Sequence, residues 1–267
     1  MTRQPAVAGS FYSANPVQLS SDVDSFLRGD HKPHQVKGII VPHAGYVYSG
    51  VVAGEVFAGI KIPELVVLIG PKHQGLGHNV AVGGVDAWAT PLGDVPLAVA
   101  LRDQLMHDIP ELVIDDQAHQ YEHSLEVMLP FLLKRQSKLK IVPIVLGHLS
   151  FSGCLNLGTA LAKTLKKRGE DVLLLASSDM NHFSSAADTE KLDALAIAAM
   201  TSFDLRQLYQ VVTEKHISMC GVLPTITVMQ AAYDLGARSC DLVRYSHSGM
   251  VNGDNSRVVG YAGLTIE

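Results

Sequence analysis

Gly38-Ile39-Ile40-Val41-Pro42-His43-Ala44-Gly45-Tyr46 decides how this 267-residue chain is read. The apolar run 38–41 has the length and bulk of a buried strand. Pro42 has no amide proton to donate, so the ladder ends there. His43 is thereby set just past the carboxyl end of a strand, and Gly45 lets the chain turn away. The pattern recurs along the sequence. Residues 65–69 run into Gly70-Pro71-Lys72-His73, and 141–146 into Gly147-His148. Residues 172–176 run into Ser177-Ser178-Asp179-Met180-Asn181-His182. Open α/β sheets bind their ligands in the crevice beyond the carboxyl ends of the strands. Four strands that each deliver a histidine there predict a functional crevice centred on a metal.

Between these strands lie helical patterns. Apolar spacing predicts helices over 16–27, 49–60, 96–106, 155–167, 189–200 and 205–212. The 96–106 helix has Pro96 in its first turn. A helix over 124–134 contains Pro130, which predicts a kink or break. Glu122, His123 and Glu126 cluster at its amino end, where carboxylates favour the helix dipole. A further helix starts at Cys220-Gly221 and stops at Gly236. Residues 3–16 read as an irregular arm, 74–95 as a short strand with an excursion over the sheet edge. Residues 241–245 and 257–265 close the chain as strands. Alternating strands and helices define an α/β fold. The expectation is one domain spanning 1–267, with a central mixed β-sheet flanked by helices on both faces.

With 47% apolar and 18% charged residues, the chain can bury a large core. A net charge of −5 argues against a general nucleic-acid surface. The one basic cluster, 163–168, falls late in a helical pattern, where cations complement the dipole. Cys154, Cys220 and Cys240 are odd in number and form no Cys-x-x-Cys pair, which excludes a disulfide scaffold and a zinc ribbon. Reduced thiols are expected. The amino terminus lacks the apolar core of a signal peptide, and no run reaches membrane-spanning length. The expectation is a cytoplasmic protein that engages no membrane.

Histidine is the commonest side chain to bind transition metals. Two histidines and a carboxylate with open positions suit non-haem iron. Three ligands and a water suit hydrolytic zinc. His43 and His73, which both follow adjacent strands at a Gly/Pro turn, are the first candidates, and Asp179, Glu122 and Cys220 compete for third place. His119 and His123 lie among carboxylates, where they could support ligands or transfer protons. The plain alternative for each histidine is a hydrogen-bonded strand-end residue. Asp179 could instead cap a turn. Cys220 could be simple packing, although a helix amino terminus would favour its thiolate. His148 reads as structural, and His31, His34, His78 and His107 as surface residues. No nucleophile elbow, phosphate loop or dinucleotide fingerprint is present.

These residues resemble the Memo family, which is similar in fold to class III extradiol ring-cleavage dioxygenases. The resemblance runs from Ala8-Gly9-Ser10-Phe11-Tyr12 through Pro42-His43-Ala44-Gly45-Tyr46 and Gly70-Pro71-Lys72-His73. It continues in Glu122-His123-Ser124-Leu125-Glu126, Ser177-Ser178-Asp179 and Cys220-Gly221, and ends in Gly260-Tyr261-Ala262-Gly263-Leu264-Thr265. It implies a metal set of His43, His73 and Cys220, with His123, Asp179 and His182 in the same cleft as catalytic groups. Iron or copper is the implied cofactor, with zinc as a third candidate. Where the dioxygenases carry a glutamate ligand, this chain carries Cys220, a softer and oxidisable donor. The implied function is a metal-dependent oxidoreductase acting on a small molecule. The alternative is a non-catalytic metal-binding adaptor with a small-molecule or peptide ligand in the cleft. Prokaryotic members are associated with a radical S-adenosylmethionine enzyme and an AMMECR-type protein, which are therefore the implied partners.

Overall fold

The computed structural model describes residues 1–29 and 32–267; His31, expected at the surface, lies outside them. The chain begins with β1 (Thr2–Arg3), α1 (Pro16–Phe26), β2 (Gly38–Val41), α2 (Tyr46–Gly59) and β3 (Leu65–Pro71). Then come β4 (Val80–Val82), β5 (Ala87–Thr90), β6 (Gly93–Pro96), α3 (Val99–Asp108) and β7 (Val113–Ile114). The middle holds α4 (Leu129–Arg135), β8 (Lys140–Leu146), α5 (Phe151–Arg168), β9 (Val172–Ser177) and β10 (His182–Ser184). The last part holds α6 (Ala186–Thr201), α7 (Leu205–Glu214), α8 (Val222–Asp234), β11 (Cys240–His247), α9 (Gly249–Asn252) and β12 (Val258–Ile266).

The main sheet has the order β10-β12-β2-β9-β3-β8-β4-β7, with β11 paired to β12. Its centre, β2-β9-β3-β8, is parallel, while β12 and β4 flank it antiparallel. This is the mixed sheet expected, covered by helices on both faces. The strands alternate between two cores. Ile39, Val41, Val66, Leu68, Leu173 and Leu175 meet α1, α2 and α4. Ile40, Val67, Ile69, Leu174, Val142 and Ile144 meet α3, α5 and α8. Each such aliphatic side chain contributes about 1.5–3 kcal/mol when fully buried. Burial on both faces is why these strands read as unbroken apolar runs.

Several expectations need correction. The expected adjacency of the strands bearing His43 and His73 does not hold, because β9 lies between β2 and β3. Fully apolar parallel strands carry no pattern that encodes their lateral order. Pro96 ends β6 instead of opening a helix, since β6 pairs with β5 on a small sheet that also takes β1. At 124–134, a short 3-10 turn over Glu126–Met128 precedes α4, and Pro130 sits in the first turn of that helix. Gly45 is not in the left-handed region (φ −56°), so the turn there makes no demand for glycine. Among the described residues, no helix is long and apolar enough to cross a membrane.

Candidate metal centre

The ends of β2, β3 and β9 and the segment 119–126 converge on one crevice. His43 is buried (2% exposed) at the end of β2. Its Nδ1 lies 2.5 Å from Ser177 Oγ, and that hydroxyl donates to the Ser124 carbonyl at 2.6 Å. A hydroxyl proton committed to a carbonyl leaves Oγ to accept, so Nδ1 carries the ring proton. The network thereby assigns a lone pair to Nε2. Burial, then the neighbouring His73 and His123, hold the His43 imidazole well below its usual range, so it stays neutral.

His73 follows β3. Its Nδ1 donates to Glu122 Oε1 at 2.9 Å, and its backbone N–H donates to Oε2 at 2.6 Å. Glu122 is completely buried. Burial opposes its charge, but the His73 ring and the Ser124 and His73 amides bring its carboxyl down to about 2. An ionised Glu122 therefore fixes the His73 ring with Nε2 outward. His123 differs. Its Nδ1 is 3.6 Å from Glu122 Oε1, beyond hydrogen-bond reach, and its ring stacks on His73 at 4.7 Å between centroids. Burial lowers its pKa as well.

Among the described residues, His43, His73 and His123 form the one group of metal-capable side chains whose ligand atoms all lie within 4.8 Å of one another. Cys220 stands outside that group, yet its Sγ is 3.2 Å from His43 Nε2. It precedes α8, which starts hard against β9. A Cβ at Gly221 would run into the Ser177 carbonyl and the Ser178 side chain, so only glycine lets the thiol come so near. Burial, then the Asp179 charge, push the thiol above its usual range.

Asp179 does not cap the turn that follows it. Its Oδ1 accepts the amides of His43 (2.8 Å) and Ala44 (3.3 Å), tying β9 to the residue after β2. Burial lifts its carboxyl to about 7 despite those bonds. His182 Nδ1 donates to the Ser218 carbonyl at 2.9 Å, which leaves its Nε2 with a lone pair. Burial lowers its pKa. The other histidines scatter. His34 pairs with Glu267, and His78 and His107 are exposed. His119 is buried behind the crevice, its Nε2 3.2 Å from the Ala81 carbonyl. His148, read as structural, is exposed and lines a cavity beside His73.

Sequence reasoning missed the brace behind the crevice. Glu126, read as a dipole partner, is fully buried and accepts from Arg3 Nη1 (2.7 Å) and Tyr12 Oη (2.7 Å). It also accepts the amides of Ala6 (2.8 Å) and Val7 (3.0 Å). Arg3 donates further to the carbonyls of His119 and Glu122, both at 2.8 Å, and stacks on Trp88. The arm thus clamps both ends of the segment that carries Glu122 and His123. The only signal for it was a second carboxylate, Glu126, preceding an apolar stretch.

Fold and site together define an α/β protein with a histidine cluster, able to hold a metal ion, at the carboxyl ends of parallel strands. A family model described as "Memo-like protein" matches residues 3–265. A MEMO1 family protein of Aquifex aeolicus is 42% identical over 98% of both chains. One of Methanosarcina barkeri is 38% identical over 99% of this chain and 100% of its own length. The chain belongs to the Memo family. An uncharacterized protein of Escherichia coli has a solved structure that covers 87% of this chain and 100% of its own, with a TM-score of 0.60. At 14% identity, that likeness speaks to the fold alone.

Proposed function

We propose that this chain binds one iron or copper ion between His43, His73 and Cys220 and uses it for redox chemistry on a small molecule. The observation that carries the reading is the pair of Nε2 atoms turned outward, each ring oriented by a committed Nδ1–H. Metal-bound histidines almost always donate their other N–H to such a partner. His43 and His73 do so; His123 does not. The 3.2 Å between Cys220 Sγ and His43 Nε2 also fits two ligands of one ion. Ligand atoms at metal–nitrogen and metal–sulfur distances of about 2.1 and 2.3 Å lie roughly 3.1–3.6 Å apart. A thiolate beside two imidazoles suits copper, with zinc also accommodated and iron retained on the resemblance to dioxygenases. Bound there, the ion would supply an electron-transferring centre with open positions.

The chain's own groups handle protons. His123, neutral and held by ring packing against Phe11 and His73 instead of a hydrogen bond, can take up a proton. His182 offers Nε2 for the same purpose, because Nδ1 is held by Ser218. Asp179, near neutrality in its pKa, keeps the His43 turn closed in either state through its amide bonds. General acid–base groups work best when their pKa lies near the operating pH.

A second reading keeps the metal and drops turnover, with the chain serving as partner to a radical S-adenosylmethionine enzyme. It is favoured by Phe183, which follows His182 with a left-handed φ of 66° and a side chain 62% exposed. A bulky residue held at positive φ is a strained position of the kind that clusters at functional surfaces. The test is anaerobic loading with iron(II) or copper(I), followed by metal analysis and dioxygen uptake with catechols. About one ion per chain and metal-dependent uptake are expected. Bound metal without uptake would leave the second reading, and no bound metal would sink both.

A further inference from the structure

Beside His73 and Cys220 opens a cavity of about 460 Å³. Leu146, Leu223 and Pro224 supply apolar wall, and Lys72 and His148 supply donors. No carboxylate is among the described residues that line it. Lys72 Nζ donates to the carbonyls of Gly77 (2.6 Å) and His78 (3.1 Å). Both acceptors are neutral, Lys72 has no ion-pair partner among the described residues, and its third N–H is uncommitted.

We infer that the cavity selects a small monocarboxylate with an apolar body, its carboxylate on Lys72 and its body against Leu146, Leu223 and Pro224. This rests on the metal-site reading for the role of the adjoining His73 and Cys220, and adds the substrate class to it. One cation over an apolar wall matches a monoanion. A phosphate dianion would call for more charged donors than the lining provides.

The test uses metal-free full chain and two probes of like shape, benzoate and benzyl alcohol, with affinities from ligand-observed NMR titration. Wild type is expected to bind benzoate about 10-fold or more tightly than benzyl alcohol, as a charge-assisted hydrogen bond would give. Lys72→Arg should keep that preference. Lys72→Met should abolish it while leaving benzyl alcohol binding unchanged. If Lys72→Met also loses benzyl alcohol, Lys72→Gln, which keeps a donor for the Gly77 and His78 carbonyls, is read by the same criterion. Failure of wild type to bind benzoate, equal binding of the two probes, or a preference that survives removal of the charge would overturn the inference. Metal content is measured separately. Metal retained with equal probe binding defeats only this inference, and benzoate preference without metal binding defeats only the reading beneath it.

Discussion

His43 and His73 stand just past strand ends with their Nδ1–H groups committed, whereas His123 rides on a loop with no ring hydrogen bond among the described residues. The strand side is placed by the ladder β2-β9-β3 and by Asp179, which fastens the turn after β2. The loop side has no ladder of its own. It is placed by the buried Arg3–Glu126 pair, whose members lie 123 residues apart in sequence. The contrast separates two rings fixed by hydrogen bonds from one held by packing against Phe11, His73 and His43. It also shows that the loop position depends on a remote brace.

The sharpest way to break the contrast is Arg3→Met. Removing Arg3 leaves Glu126 buried with its Tyr12, Ala6 and Val7 donors but no countercharge, which costs about 3–5 kcal/mol. Urea denaturation should show that loss, and hydrogen exchange should rise over 119–126 while the strands stay protected. A cost under about 1 kcal/mol would mean the brace is ornamental.

Next in size is a pH effect on the strand side. Asp193 holds the turn between β9 and β10 by accepting the Asn181 amide and the Tyr245 hydroxyl. Burial lifts its carboxyl to about 6. A folded pKa above the unfolded one means the folded state binds the proton more tightly. Its contribution is therefore full below about pH 4 and lost as pH rises through about 6, by at most roughly 3 kcal/mol. Asp193→Asn should flatten the stability profile across that window; an unchanged slope would contradict the assignment.

The smallest effect sharpens the comparison from the ligand side. Ser177→Ala leaves the His43 Nδ1–H without its acceptor, for about 1–3 kcal/mol in stability. Metal affinity should fall about 10–100-fold, as loss of a partner behind a ligand does. Isothermal titration would show it, and wild-type affinity in the variant would mean that His43 needs no such anchor.

The histidines at the strand ends were legible because Pro42 and Gly70-Pro71 announce where each strand must stop. The helices were legible wherever one face is apolar. The lateral order of β2, β9 and β3 was not, since four equally apolar strands are interchangeable by pattern. Nor were the roles of Glu122 and Glu126, which looked alike as carboxylates near a helix start. One anchors His73 and the other anchors the arm, a division set only by contacts distant in sequence. His182 could be placed after its strand, but β10, which begins with it, is too short to show a period. Arg3 offered no local signal.

The central claim is that the ion is held by His43, His73 and Cys220, with His123 left free. The most direct test is metal content per chain by mass spectrometry on anaerobically loaded wild type, Cys220→Ala and His123→Ala. The account predicts about one ion in wild type and in His123→Ala, and loss in Cys220→Ala. Retention in Cys220→Ala with loss in His123→Ala would contradict it and give the ion to the three histidines.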